Sequence, residues 1–278
     1  MSFIDWLLGG RSKRPEPPRV QHLWATDQVV GVLYATGQAR TWRLDGTPVH
    51  DQQVAGPRVV SMDGQLIDSQ YADFFALPFV VGGRLLRVGK GELRDGSKVV
   101  EDPWLRPSAQ MTVDVAGDGR VALLDPFLNQ AGVWDGERLS RIGERSLPVV
   151  DGAFVGEELH LVREGHVERY DRSGQQVERL QPHGLQTLAV APGATLGLDA
   201  RDQLELSTES ASLGPAPERP YLDTRHGIVV ARRSGFYVDG EVVDVPHQGV
   251  LSTPHGVFVA SETPALYARD GRCIRVFG

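Results

Sequence analysis

Val167-Glu168-Arg169-Tyr170-Asp171-Arg172-Ser173-Gly174-Gln175-Gln176-Val177-Glu178-Arg179-Leu180 decides the fold, because it reads as two short strands around one tight turn. The same unit recurs along the chain. Asp45-Gly46, Asp95-Gly96, Asp135-Gly136, Asp239-Gly240 and Asp270-Gly271 each sit between two short apolar runs. Asp-Gly suits a two-residue hairpin, since both positions tolerate a positive φ. The strand before the turn carries an aromatic residue in most copies: Trp42, Trp134, Tyr170, Tyr237 and Tyr267.

A second glycine turn precedes each of these hairpins. It appears as Gly82-Gly83, Gly117-Asp118-Gly119, Pro192-Gly193, Arg225-His226-Gly227 and Pro254-His255-Gly256. The repeating unit is therefore four strands with a turn after the first and another after the third. Four-stranded meanders repeated every ~30–50 residues are the sequence sign of propeller blades. No helical stripe is legible after Val20.

Counting outermost strands places blade ends near Gln53, Glu101, Ile142, Leu180, Leu213, Val245 and Phe277. The expected fold is all-β: a propeller of seven four-stranded blades over residues 19–278. Residues 1–18 form a short helical or disordered segment ahead of it. Residues 55–75 do not fit the unit. They hold an extra hairpin, Val59 to Ile67, and then Tyr71-Ala72-Asp73-Phe74-Phe75, which reads as an insertion, with half of an eighth blade as the alternative. Two closures are open: blade one packs simply on blade seven, or Arg19 to Leu23 pairs outside the final strand.

Composition narrows the function classes. The chain of 278 residues is 41% hydrophobic and 23% charged, an ordinary globular balance that can bury a core without a disulfide or a structural metal. Its single cysteine, Cys273, cannot form an internal disulfide, which fits a reducing cytoplasm. A net charge of −7 and the lack of any basic run in the body of the chain argue against nucleic acid as the partner. The first ten residues hold an apolar cluster of Phe3, Ile4, Trp6, Leu7 and Leu8, too short to span a bilayer. Asp5 interrupts the cluster and the positive charges follow it, so it fails as a signal peptide. Arg11, Lys13, Arg14 and Arg19 come next, among Pro15, Pro17 and Pro18. This segment could dock on a protein, fold back on the propeller, or touch an anionic membrane through residues 1–14.

The hairpins Arg169 to Val177 and Tyr267 to Gly278 resemble those of NHL-type bacterial propellers, and more loosely WD40-like and PQQ-like repeats. Trp134-Asp135 is similar to a WD dipeptide. The resemblance implies a propeller that serves as a binding platform, and it transfers no catalytic residue.

Candidate chemistry is sparse. His183, His226 and His255 each precede a glycine, with His247 nearby, and would hold a metal only if they converged. Asp114, Asp118 and Asp125 cluster in sequence, and Asp223 precedes His226; a propeller hydrolase would gather such groups at the channel mouth. Their spacing matches no calcium loop. There is no nucleophile elbow, phosphate loop or dinucleotide fingerprint. No catalytic, cofactor or metal residue is therefore assigned and no cofactor is expected. The expected partner is a protein of unknown identity, met through Phe3, Ile4, Trp6, Leu7, Leu8, Tyr71, Phe74 and Phe75. The favoured function is a non-catalytic scaffold. The alternatives are a hydrolase or lyase with a channel-mouth His and Asp site, and a small-ligand sensor. Nothing in the sequence sets the oligomeric state.

Overall fold

A computed structural model describes residues 18–278, apart from 63–64, 72–73, 82, 144–147, 209–211 and 218–219. Seven antiparallel sheets follow one another along the chain, each with at least four strands in sequence order. Their outermost strands end at Gln53, Glu101, Arg141, Leu180, Pro215, Asp244 and Val276. The seven blades expected from the turn repeat are all present.

The sheets are arranged radially because neither face of a blade can be left wet. Each apolar cluster draws on two neighbouring sheets. Leu77, Leu86 and Leu93 of blade 2 meet Val121, Leu123 and Trp134 of blade 3. Leu196 and Leu204 of blade 5 meet Val230 and Tyr237 of blade 6. The first strand of each blade lies innermost: Val20–Ala25, Phe74–Val81, Thr112–Val115, Val149–Val155, Gln186–Ala191, Leu222–Asp223 and Gly249–Thr253. These strands line the axis and touch their neighbours around the ring, blade 6 reaching blade 7 through its second strand, Val229–Arg232.

The irregular stretch 55–75 has a defined place in this ring. Val59–Met62 and Gln65–Asp68 form a separate two-stranded sheet. Val59–Met62 touches the first strand of blade 1 on one side and that of blade 2 on the other. The hairpin is thus half of an eighth blade, wedged between two complete ones. Val59 is fully buried against Trp24, Leu33 and Ala39 of blade 1. Trp24 can lie there because its cross-strand partner is Gly31, where a Cβ would fall 2.2 Å from the indole ring. Gln70–Tyr71 then pairs with the start of blade 2's first strand.

Closure is by packing and a few hydrogen bonds, with no strand shared between blades 1 and 7. Val20–Ala25 is the innermost strand of blade 1, so the alternative in which Arg19 to Leu23 pairs outside the last strand is not realised. That stretch is drawn inward because Leu23 and Ala25 have an apolar face to bury against blades 1 and 7. Phe277 seals the join, 5.5 Å from Trp42 of blade 1 and 5.8 Å from Phe258 of blade 7. The Trp42 Nε1–H donates to the Gly278 carbonyl at 3.2 Å.

The Asp-Gly turns differ from the expected form. Among the described residues only Asp239-Gly240 has both residues at positive φ, 45° and 98°. At Asp45, Asp135, Asp171 and Asp270 the aspartate keeps a negative φ, and its carboxylate accepts the N–H two residues on, as from Thr47 and Ser173 at 2.8 and 2.9 Å. The glycine alone is left-handed, and the ladder slips beside it at Trp42, Tyr170 and Tyr267. Here aspartate serves as a side-chain acceptor more than as a positive-φ residue.

Removing the closing ring tests this picture. Phe277→Ala should lower stability by about 3–5 kcal/mol, as for a buried aromatic truncated to a cavity. Urea unfolding of the full chain measures it, and a loss under about 1 kcal/mol would mean that the last blade closes without Phe277.

Candidate functional site

Each blade's first strand runs from the loop that enters the blade to the turn leading to the second strand. The two faces of the ring therefore differ. One, the entry face, carries the entering loops and the links between second and third strands. The other, the turn face, carries the glycine turns.

An axial cavity of about 240 Å³ lies among the innermost strands. It is lined by His22, Leu23 and Trp24 of blade 1, Arg58, Val60 and Ser61 of the half-blade, and Phe79 and Val113 of blades 2 and 3. Arg225, His226, Leu251, Ser252 and Pro254 complete it from blades 6 and 7. Thr26, Asp27, His226 and Pro254 belong to turns between first and second strands, so the mouth is on the turn face.

The polar groups around the axis are of two kinds. Most clasp one blade to the next. Asp114 of blade 3 accepts the Phe154 N–H of blade 4 at 2.7 Å, and Asp151 of blade 4 accepts the Val190 N–H of blade 5 at 3.0 Å. Tyr221 of blade 6 accepts the Ser252 N–H of blade 7 at 2.9 Å, and Gln248 of blade 7 accepts the Val20 N–H of blade 1 at 2.7 Å. Asp223 is buried and takes the Arg225 guanidinium, with Nε at 3.0 Å, and the Tyr221 hydroxyl at 3.3 Å. Burial works against the Arg225 charge, but Asp223, Tyr221 and Asp114 outweigh it and hold its pKa above the usual arginine range.

Arg58 is of the other kind. It is 8% exposed, its Nη2 donates to the carbonyls of Ala109 and Met111 at 3.2 and 2.6 Å, and it lies 4.5 Å over the Phe79 ring. Burial lowers its pKa to about 10, against a partial opposing pull from Asp125. Beside it, burial and then the Arg58 charge push His22 down to about 3, so that ring is neutral at pH 7.

The candidates named from sequence separate. Asp114 and Asp223 do reach the axis, where Arg225 feels both. Asp118 stays in its turn, paired with Arg120 at 2.8 Å. Asp125 is fully buried, accepting Ser108 Oγ at 2.7 Å and the N–H groups of Phe127 and Leu128 at 3.1 Å. Of the histidines named from sequence, among the described side chains only His226 lines the cavity. His255 is exposed, His247 meets the Arg232 carbonyl at 2.8 Å, and the backbone of His183 lies in a single 3-10 turn before blade 5. Among the described residues, no three His, Cys, Asp or Glu groups gather as metal ligands would. Cys273 is exposed on the outermost strand of blade 7.

Phe3, Ile4, Trp6, Leu7 and Leu8 lie outside the described residues. So do the side chains of Tyr71, Phe74 and Phe75, although the Tyr71 and Phe74 backbones pair at the tip of a hairpin on the entry face. Sequence reading missed His22, Arg58 and Arg225. Arg225 stood in a recognised turn motif, but no local signal marked the other two.

Fold and site together define a closed β-propeller with a polar axial cavity. No family model and no curated protein matches the sequence. Solved structures do match in fold. The computationally designed Ika8 protein is 12% identical at a TM-score of 0.57, over 95% of this chain and 97% of that one. The WD40 β-propeller domain of Doa1 is 14% identical at 0.54, over 88% and 90%. A streptogramin B lyase is 11% identical at 0.52, over 90% and 93%. At such identities the likeness is one of fold alone. No helix among the described residues is long and apolar enough to cross a membrane.

Two half-buried axial groups titrate in opposite directions. Burial raises Asp151 from 3.8 to about 6, with the Asp114 charge adding to the rise. Its protonation stabilises the fold fully below 3.8, and that stability is lost as pH climbs to about 6. His22 binds its proton in the unfolded chain below 6.5 but in the fold only below about 3, so its contribution falls as pH drops through that window. Relative to the wild type, Asp151→Asn should therefore gain stability as pH rises from 3.8 to about 6. His22→Gln should gain as pH falls from 6.5 towards 3. Urea midpoints across the range check both, and parallel curves for wild type and variants would contradict the assignment.

Proposed function

We propose that this protein is a non-catalytic propeller scaffold that recruits a protein partner on its entry face, with residues 1–18 as a tether. One observation carries the reading: exposed apolar side chains of blades 3 and 4 share that face. Residue 18, the first described, lies at the entry-face end of blade 1's innermost strand. Phe127, 67% exposed, and Leu128 sit in the link between the second and third strands of blade 3. Val150, 43% exposed, begins the first strand of blade 4. The hairpin tip bearing Tyr71 and Phe74 belongs to blade 2, next in the ring. Aromatic anchors grouped on neighbouring loops are the usual core of a protein contact.

The axial carboxylates support the same reading. Asp114, Asp151 and Asp223 are engaged in clasping blades or holding Arg225, whereas a hydrolase or lyase needs an acid or base free to meet substrate. A cytoplasmic setting for such a scaffold accords with the lone thiol.

Affinity capture from the native host with three forms tests it: the full chain, residues 19–278, and Phe127→Asp. A specific partner should be lost or depleted at least about tenfold in both altered forms, and retained by Arg225→Gln on the opposite face. An unchanged partner set in the altered forms would remove the entry face from the account.

A further inference from the structure

We propose that the axial cavity is a binding site for a small organic anion, a carboxylate- or phosphate-bearing molecule seated on Arg58 and admitted past Arg225. This goes beyond the scaffold reading and does not depend on it, since the mouth is on the opposite face.

Arg58 is the residue that asks for a ligand. Its guanidinium is buried, yet no carboxylate lies within ion-pairing distance of it among the described residues. The nearest acidic influence is Asp125, whose oxygens already accept from Ser108, Phe127 and Leu128. A buried charge without a counter-charge is expensive, and folds keep one where something else supplies the missing partner. Arg58 is also held rigid by the Ala109 and Met111 carbonyls and by Phe79. Its Nε–H has no acceptor. Held in place and without a counter-charge, it lines the cavity as a fixed cation.

Other groups around the cavity fit the same ligand. Ser252 is 6% exposed and its Oγ has no partner; Ser61 is 3% exposed. His22 lines the cavity beside Arg58 as a neutral ring hydrogen-bonded to the Val59 backbone, so it adds no competing charge. At the mouth, the exposed Arg225 presents a second guanidinium, itself paired with Asp223, and Asp27 lines the same mouth. Arg58 is thus the cavity arginine without a carboxylate partner among the described residues. About 240 Å³ is below the ~300–1,000 Å³ of most cofactor pockets, which restricts the ligand to a small molecule.

The test uses the full chain with inorganic phosphate and with malonate as probes, against sodium chloride at matched ionic strength. Calorimetry on the wild type should show saturable one-to-one binding of at least one probe at millimolar concentration or tighter, with a matching rise in Tm. A phosphate response alone would assign a phosphate ester, and a malonate response alone a carboxylate. Arg58→Met should weaken binding at least about tenfold while keeping or raising the Tm without anion, because it removes an unpaired buried charge. If that variant does not fold, the wild type still decides: the Arg58 Nε–H resonance should shift as the probe saturates. No saturable binding of either probe, an unmoved Arg58 resonance, or full binding by Arg58→Met would each overturn the proposal.

Discussion

The constraint on which the molecule depends is that a blade's innermost strand is covered only by its neighbours. A lone four-stranded meander leaves both faces wet, and seven of them become stable by burying those faces against one another in a ring. A ring fails if any one join is missing. That explains why Phe277, one residue from the chain end as given, is fully buried between Trp42 and Phe258. It explains equally why polar side chains near the axis reach across to a backbone N–H of the next blade. Those N–H groups lie where no strand can pair with them, and Asp114, Asp151, Tyr221 and Gln248 satisfy them in turn.

This division of labour separates structure from candidate function at the axis. Carboxylates that would suggest catalysis in isolation are committed to holding the ring. Arg58 and the Ser252 hydroxyl have capacity left over. The half-blade is what brings Arg58 there: Val59–Met62 replaces a full sheet at one position, and the residue before it reaches the entry-loop carbonyls of blade 3. An irregularity in the repeat is thus where the cavity acquires its buried charge. Such a departure from local regularity is expected where a scaffold has been turned to use.

Much of the fold was legible because turn chemistry is local. Asp171 to Gly174 and Asp270-Gly271 announce their hairpins within four residues, and blade ends predicted from them fall within two residues of those observed. The exact turn geometry was less legible, since aspartate's value as a side-chain acceptor and as a positive-φ residue leave the same letters. The site was legible only in part. Asp114 and Asp223 stood out as candidates for the channel mouth and lie near the axis around Arg225 without lining the cavity, and their partners could not be read from spacing. His22, Arg58 and Arg225 come together from three distant parts of the chain, one from a strand, one from the loop before the half-blade and one from a turn. A repeat that breaks at residues 55–75 gives no register from which to work that out.

The central claim is that the half-blade is a structural member of the ring and not a surface ornament. Hydrogen exchange followed by mass spectrometry tests it directly, comparing peptides over 20–25 and 59–62 under native conditions. The account predicts that both are strongly protected and lose protection together in one cooperative opening, since Trp24 and Val59 share a core. Rapid exchange across 59–62 while 20–25 stays protected would contradict it.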